Sequence, residues 1–371
     1  MLYLSTVSSP RTLRMARIAA DRGYQVTVGA WDRGGAGPTK PSVRGVRFTI
    51  MKLRSPYGAR TLFFMPVWFV FALLRALFGG FSVIQARNLD GVVPAILASK
   101  VTGSKVVYDV ADYYADTYAS NLGFLTRLSS LIEPALLRRA DALVMASEGQ
   151  LRQIGKGNLP ERRMVFYNMP MDLQARGRLP KKDGPAGMTT LFYGGMMSGE
   201  RFDALRNVVE AVQGLPVKIL VAGFGEHAKL FTQLERAGTM ELLGSLTHAE
   251  ILEQTRRADA ILLPYFPDNP NSSIGLANKF FDAMSTGTVM LVPRETLMAE
   301  IAEREGIGLL TDYRDVREIR LSVDALLGMG ESDRAAMGER ERALFRTRFN
   351  PDDVKRKYVE MLDSVQTRER P

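Results

Sequence analysis

Short apolar runs alternate along this chain with longer stretches whose apolar positions recur at helical spacing. Leu2–Thr6, Gln25–Ala30, Val46–Ile50, Ser82–Ala86, Lys105–Asp109, Asp141–Ala146 and Met164–Tyr167 read as strands of a first unit. Thr190–Tyr193, Val217–Ala222, Met240–Leu243, Ala260–Leu263 and Val289–Val292 read as strands of a second. Between them lie helical segments such as Arg11–Arg22, Phe202–Val212, His227–Arg236, His248–Arg257, Ala277–Ser285 and Leu297–Glu305, and the tail from Val316 to Val365 reads as helices alone. Strands alternating with helices imply parallel sheets covered on both faces. The expected fold class is α/β, with two doubly wound Rossmann-like domains and a C-terminal helical tail.

The alternation breaks at 169–188, where Pro170, Gly177, Pro180, Gly184, Pro185 and Gly187 cluster around a Lys-Lys-Asp run. This is linker chemistry. The expected domains are 1–168, a linker 169–188, a second domain 189–350, and a helix 351–371 returning to the first.

Composition narrows the chemistry. The 371 residues include no Cys and two His, so disulfides, Cys-zinc sites, Fe–S clusters and thiol catalysis are excluded. The net charge of +9 is lopsided: residues 1–170 hold 22 Lys and Arg against 10 Asp and Glu, and 171–371 hold 27 against 30. A basic first half suits nucleic acid, anionic lipid or phosphorylated ligands. A nucleic-acid binder interleaves basic with exposed aromatic residues. Here the aromatics concentrate in one apolar run, and no nucleic-acid partner is expected.

That run is Arg60-Thr-Leu-Phe-Phe-Met-Pro-Val-Trp-Phe-Val-Phe-Ala-Leu-Leu-Arg-Ala-Leu-Phe-Gly-Gly. A helix from Pro66 to Phe78 would be about 20 Å long, too short for a hydrocarbon core of ~30 Å. With Arg44, Arg47, Lys52, Arg54 and Arg60 upstream, it describes a monotopic contact with anionic lipid through Trp68 and Phe69. The other reading is a helix buried against the sheet. No basic leader followed by an apolar core opens the chain, so the expected location is cytoplasmic, peripheral on the inner face of the cell membrane.

Three segments carry candidate chemistry. Gly194, Gly195 and Gly199 form a strand–turn–helix with Arg201 beside the helix start, which suits phosphate. Gly223 and Gly225 repeat the arrangement after the next strand. The third segment runs Leu263-Pro-Tyr265 through the polar loop Asp268–Ser273 to Ala277-Asn278-Lys279-Phe-Phe-Asp282-Ala-Met-Ser-Thr-Gly287. Lys279 and Asp282, three apart on a helix, can meet phosphate and ribose hydroxyls respectively.

This third pattern resembles the donor-binding segment of GT-B glycosyltransferases. It is most similar to glycosyltransferase family 4 and its TuaH-like and xanthan glucuronosyltransferase-like relatives. The resemblance is good over 189–293, moderate over 82–148 and loose elsewhere. Ile274 stands where the family has the first acid of Glu-x7-Glu, and Met196 where Arg is common. The resemblance implies two domains facing a cleft and sugar transfer without a metal or cofactor. The nucleotide-sugar, with UDP favoured, would be held by Gly194, Gly195, Arg201, Gly223, Gly225, Tyr265, Asn278, Lys279 and Asp282.

In the first domain Asp109, Asp112 and Asp116 follow a strand. Ala111 occupies the family's usual His position, and Asp112 is the expected base for an acceptor hydroxyl. Asp109, Ser9 and Arg11 are expected on the acceptor side. A basic, lipid-facing domain points to a lipid-linked saccharide acceptor. The rival is a non-enzymatic two-lobed sugar-nucleotide-binding protein.

Overall fold

The computed structural model describes residues 1–366 apart from 7–8, 33–42, 56–58, 115–122, 156, 158, 172, 176, 178–186, 226–227, 236–237 and 269. The expectations for Asp116 and His227 therefore fall outside the described residues. The chain forms two compact units, Met1–Met171 with Asp352–Pro371, and Asp172–Pro351. The first crossing falls inside the segment expected as linker.

The first unit holds β1 (Leu2–Ser5), β2 (Val26–Asp32), β3 (Val46–Lys52), β4 (Val83–Arg87), β5 (Lys105–Val110), β6 (Ala142–Met145) and β7 (Arg163–Val165). They form one sheet in the order β3-β2-β1-β4-β5-β6-β7, and every pairing is parallel. Its helices are α1 (Pro10–Asp21), α2 (Met65–Phe78), α3 (Asn88–Thr102), α4 (Gly123–Arg139) and α5 (Gly149–Ile154). Buried apolar strand residues such as Leu4, Ile84, Ala86, Tyr108 and Leu143 pack with Trp68, Val92 and Leu137 from the helices.

The second unit holds β8 (Thr189–Met196), β9 (Val217–Phe224), β10 (Met240–Gly244), β11 (Ala260–Leu262), β12 (Val289–Pro293) and β13 (Leu309–Thr311), in the parallel order β10-β9-β8-β11-β12-β13. Its helices are α6 (Gly199–Ala211), α7 (Ala228–Glu235), α8 (His248–Arg257), α9 (Pro270–Ile274), α10 (Asn278–Thr286), α11 (Leu297–Glu305), α12 (Val316–Gly328) and α13 (Glu331–Thr347). A last helix, α14 (Pro351–Gln366), takes the chain back into the first unit. There the Tyr358 hydroxyl lies 2.7 Å from the Tyr3 hydroxyl and donates to Gln85 Oε1 at 2.5 Å.

Strand order reverses between β1 and β4 in one sheet and between β8 and β11 in the other. In such sheets the crevice outside the strand C-termini at that reversal is where ligands bind. The fold thus directs attention to two strand-end clusters, one in each unit.

The apolar run departs from its expected length. A 3-10 turn, Ala59–Phe64, leads directly into α2. Thr61–Phe78 is then an 18-residue helical run of mean hydropathy 2.0, long and apolar enough to cross a membrane by length and composition. Four 3-10 residues and fourteen α residues span about 30 Å. One face is nevertheless committed to the unit. Trp68, Ala72 and Ala76 are fully buried, the Trp68 ring stacks on Trp31 at 6.5 Å, and its indole N–H donates to the Asp90 carbonyl. Trp68 is therefore core and not the lipid contact expected of it.

Candidate active site

The second unit's cluster is built around a lysine. Lys279 lies in the first turn of α10, and its Nζ reaches back across the sheet end to 3.5 Å from the Tyr265 hydroxyl and 5.0 Å from the Tyr193 ring centre. Gly195 makes this possible, because a Cβ there would stand 2.5 Å from Nζ. A Cβ at Gly223 would overlap the Gly195 carbonyl of the neighbouring strand. These two glycines permit strand and lysine to approach one another, where close approach to a ligand was expected.

Arg201 joins the same cluster. Ser198 caps α6 by accepting from the Arg201 backbone N–H at 3.4 Å. The Arg201 guanidinium lies over the Tyr265 ring, 3.8 Å from its centre, and pairs with Glu200. Glu200 also accepts the Phe266 N–H at 3.1 Å, which ties the loop after β11 to the start of α6. Tyr265 is thus an aromatic plate between two cations, a favourable cation–π arrangement. Burial alone would push the phenol up, but the Lys279 and Arg201 charges outweigh it and hold Tyr265 below its usual value. Burial works against the Lys279 ammonium, yet the Tyr265 and Tyr193 oxygens more than offset this and raise its pKa. Two cations near a helix N-terminus concentrate positive charge at this strand end, which suits an oxyanion.

Asp282 takes another direction. It is buried, and its Oδ1 lies 3.0 Å from His248 Nε2 at the start of α8. Lys279 and Asp282 share a helix, but Asp282 is engaged by His248 and Lys279 by the tyrosines. Asn278 is exposed at the first position of α10. Gly194 and Gly225 are also packing positions, with a Cβ at Gly194 meeting Ile251 at 2.7 Å and one at Gly225 meeting the Met197 carbonyl. Sequence reasoning passed over His248. Its signal was the capping box of Thr247 and Glu250, which places that imidazole at a helix start.

The first unit's strand ends sort their acids into two kinds. Asp109 is buried and takes a bidentate pair from Arg11, with Nη2–Oδ1 at 2.8 Å and Nε–Oδ1 at 3.0 Å. Arg11 also donates to the Phe166 and Met145 carbonyls. Ser9 caps α1 by accepting from the Thr12 N–H at 3.1 Å. The structure thus engages Asp109, Arg11 and Ser9 inside the unit, where contact with an acceptor was expected.

Asp112 differs. Its side chain is 51% exposed and stands 4.0 Å from Arg87. The Ala111 and Asp112 N–H groups both donate to Asn88 Oδ1, at 3.0 and 3.1 Å. Asn88 sits at φ 55, a left-handed conformation that Asn tolerates better than most residues. Tyr114 donates its hydroxyl to Asp90 at 3.0 Å and its N–H to the buried Glu133 at 3.1 Å. The turn bearing Asp112 is therefore pinned from three sides. Desolvation raises the Asp90 carboxyl above its ordinary value, against hydrogen bonds from Thr6 and Tyr114. Arg87, Asn88 and Asp90 were not singled out in the sequence, since they read as an ordinary strand-to-helix junction. Among the described residues no group of three His, Asp or Glu side chains is placed to hold a metal ion.

Known proteins match this picture. The glycosyl transferase 4-like domain model matches residues 8–168. No curated protein sequence matches the chain. Among solved structures, HepE of Anabaena in complex with UDP and glucose superposes with a TM-score of 0.71 at 15% identity, over 98% of this chain and 99% of that one. Sucrose-phosphate synthase of Thermosynechococcus elongatus gives 0.74 at 14% identity, over 98% of each. WaaG, a glycosyltransferase involved in lipopolysaccharide biosynthesis, gives 0.65 at 16% identity, over 97% of this chain and 99% of that one. The architecture is the GT-B fold of glycosyltransferases. The 4-like domain match, 8–168, falls on the first unit.

Proposed function

We propose that this protein is a glycosyltransferase that moves a sugar from a UDP-sugar to a hydroxyl of a lipid-linked saccharide at an anionic membrane surface, on the cytoplasmic side, in the building of a surface glycan. The observation that carries the donor half is the Lys279–Tyr265–Arg201 cluster at the strand ends of the second unit. HepE, similar in fold, is known in complex with UDP and with UDP-glucose. In the reaction the acceptor oxygen forms a bond to the anomeric carbon, and the bond from that carbon to the diphosphate breaks with its electron pair leaving on UDP. Lys279, Arg201 and the start of α6 supply positive charge where that negative charge develops, which is the electrostatic form of catalysis. These side-chain cations serve in place of a metal, and no cofactor is invoked. Asp112, exposed and pinned through its backbone, receives the acceptor proton in an inverting transfer.

The membrane half of the reading rests on α2. The outer stripe of α2 and the 3-10 turn before it, Phe63, Val67, Val70, Leu74 and Phe78, is exposed and apolar. The +12 charge of residues 1–170, from 22 basic and 10 acidic residues, favours anionic lipid.

Nucleotide titration by calorimetry and product analysis with a panel of UDP-sugars test the reading together. UDP should bind more tightly than GDP or ADP. Asp112→Asn should keep UDP affinity and stability while turnover falls about 100-fold, the usual share of a positioned base. Asp109→Asn should instead cost about 3–5 kcal/mol of stability, because it leaves Arg11 charged and buried. Absence of UDP binding would overturn the donor assignment. Normal turnover of Asp112→Asn would overturn the inverting one, and the product anomer by NMR would then show retention.

A further inference from the structure

Arg87 is the last residue of β4, on the strand beside the topological reversal, and the N-cap of α3. Its position is fixed on both sides, by pairing with Asp109 in the ladder and by the start of the helix. Its side chain is 20% exposed. Within this setting Nε and Nη1 are buried and have no hydrogen-bond partner among the described residues. Nη2 stands 4.0 Å from Asp112 Oδ2, beyond hydrogen-bond length. The nearby Asp90 carboxyl is hydrogen-bonded by Thr6 and Tyr114 instead.

Such a group calls for an explanation, since buried donors are almost always paired. Leaving one unpaired is costly, and more so when it is charged. The contrast lies within the same sheet. Arg11 is more deeply enclosed, and there the fold supplies a bidentate carboxylate and two carbonyls. The unit satisfies a guanidinium whose role is internal, and leaves Arg87 beside the exposed Asp112.

We propose that Arg87 binds an oxyanion carried by the acceptor. This deepens the acceptor half of the function proposed above and rests on it. A guanidinium presents a planar fork of N–H donors that matches the oxygens of phosphate and carboxylate alike. A phosphoryl group on a lipid carrier and the carboxylate of an acidic sugar share this chemistry. Arg87 adjoins Asp112, so an acceptor gripped there presents its hydroxyl beside the proposed base. Asn88 holds the Asp112 backbone in register with that grip.

The test uses the full chain carrying Lys279→Ala, which removes the donor-side cation from competition for charged probes. Geranyl diphosphate, glucuronic acid and the uncharged geraniol are titrated by calorimetry with Arg87 intact, with Arg87→Gln and with Arg87→Lys. Affinity for the oxyanion probe should fall at least about tenfold in Arg87→Gln. Arg87→Lys should recover only part of it, because an ammonium lacks the fork. Geraniol should be indifferent to all three. Loss confined to geranyl diphosphate assigns the phosphoryl source, and loss confined to glucuronic acid assigns the acidic sugar. UDP titration of Arg87→Gln in the otherwise wild-type chain should give unchanged affinity, so a failure of the donor reading shows separately. Equal binding of both charged probes with and without Arg87, or no binding of either at millimolar concentration, would overturn the proposal. So would a parallel loss of UDP affinity, which would mark Arg87 as a general structural residue.

Discussion

Gly195 and Lys279 lie far apart in sequence and work as one device. The glycine leaves the volume that the ammonium occupies, so Gly195→Ala should displace Lys279 while the strand survives, because the far end of a lysine moves cheaply. UDP affinity should drop at least about tenfold in Gly195→Ala and in Lys279→Ala alike, with charge-assisted contacts of about 1.5–3 kcal/mol as the scale. Calorimetry checks both, and full affinity in Gly195→Ala would place the diphosphate elsewhere. Asp90 offers a test in pH. Its carboxyl is raised by desolvation, so the folded state holds that proton more tightly than the unfolded chain does. Its contribution is most favourable below the unfolded value of ~3.9 and is lost as pH rises through the folded value. Asp90→Asn removes the ionisation and should be more stable than wild type at pH 7, with the gain shrinking to nothing towards pH 4. Urea midpoints across that range measure it, and a gain that grows towards acid would refute the assignment. Single residues were partly legible in the sequence. Lys279, Tyr265 and Arg201, which the structure brings together, stood out in the sequence because glycine turns and a polar loop mark strand ends. His248, Asn88 and Arg87 were missed because their meaning lies in a positive φ, a partner 34 residues away, or a partner that is lacking.

Most elements were visible as apolar runs, since strands buried on both faces leave that trace. β13 was not, because Leu309–Thr311 is three residues long and follows Gly306 and Gly308. α2 was visible as an apolar helix, but its two faces were not separable by composition. A run with no polar residue from Leu62 to Leu74 gives no amphipathic contrast, so only packing shows that Trp68, Ala72 and Ala76 point inward and Phe63, Val67, Val70, Leu74 and Phe78 outward. The distinction yields paired variants. Val70→Ser with Leu74→Ser changes only the outer stripe, and should release the protein from anionic liposomes with the thermal midpoint nearly unchanged. Trp68→Ala removes a stacked, hydrogen-bonded core side chain and should cost about 3–5 kcal/mol. Added salt should weaken the liposome binding, because it screens the Lys and Arg contribution. Co-sedimentation of the Val70→Ser, Leu74→Ser protein at the wild-type level would mean that the stripe does not meet lipid.

At the scale of the molecule, the chain builds its first unit in two visits, leaving it near Met171 and re-entering it at Asp352. The sequence announced a helical tail, and the physical reason for the return is one set of side chains. Tyr358 is fully buried on α14, its ring packs edge-on against Phe166 at 5.3 Å, and its hydroxyl closes a chain with Tyr3 and Gln85. Desolvation raises both phenols well above their ordinary values, so they remain neutral hydrogen-bonding groups at any physiological pH. Ending the chain at Pro351 would leave the Tyr3 hydroxyl and Gln85 without that partner and uncover the apolar face that Val354, Met361, Leu362 and Val365 help to bury. The second unit draws none of its residues from this helix beyond Pro351. The truncated protein should therefore melt in two steps, with the first unit's transition about 4–8 °C lower, which is what a 2 kcal/mol loss produces in a unit of this size. UDP binding, proposed above for the Lys279 cluster, should persist, while transfer disappears with the acceptor-side strand ends. Tyr358→Phe should show a milder form of the same change, since it keeps the ring packing and removes about 1 kcal/mol of hydrogen bonding. A truncated chain that melts like the full one and still transfers sugar would show that the returning helix is dispensable.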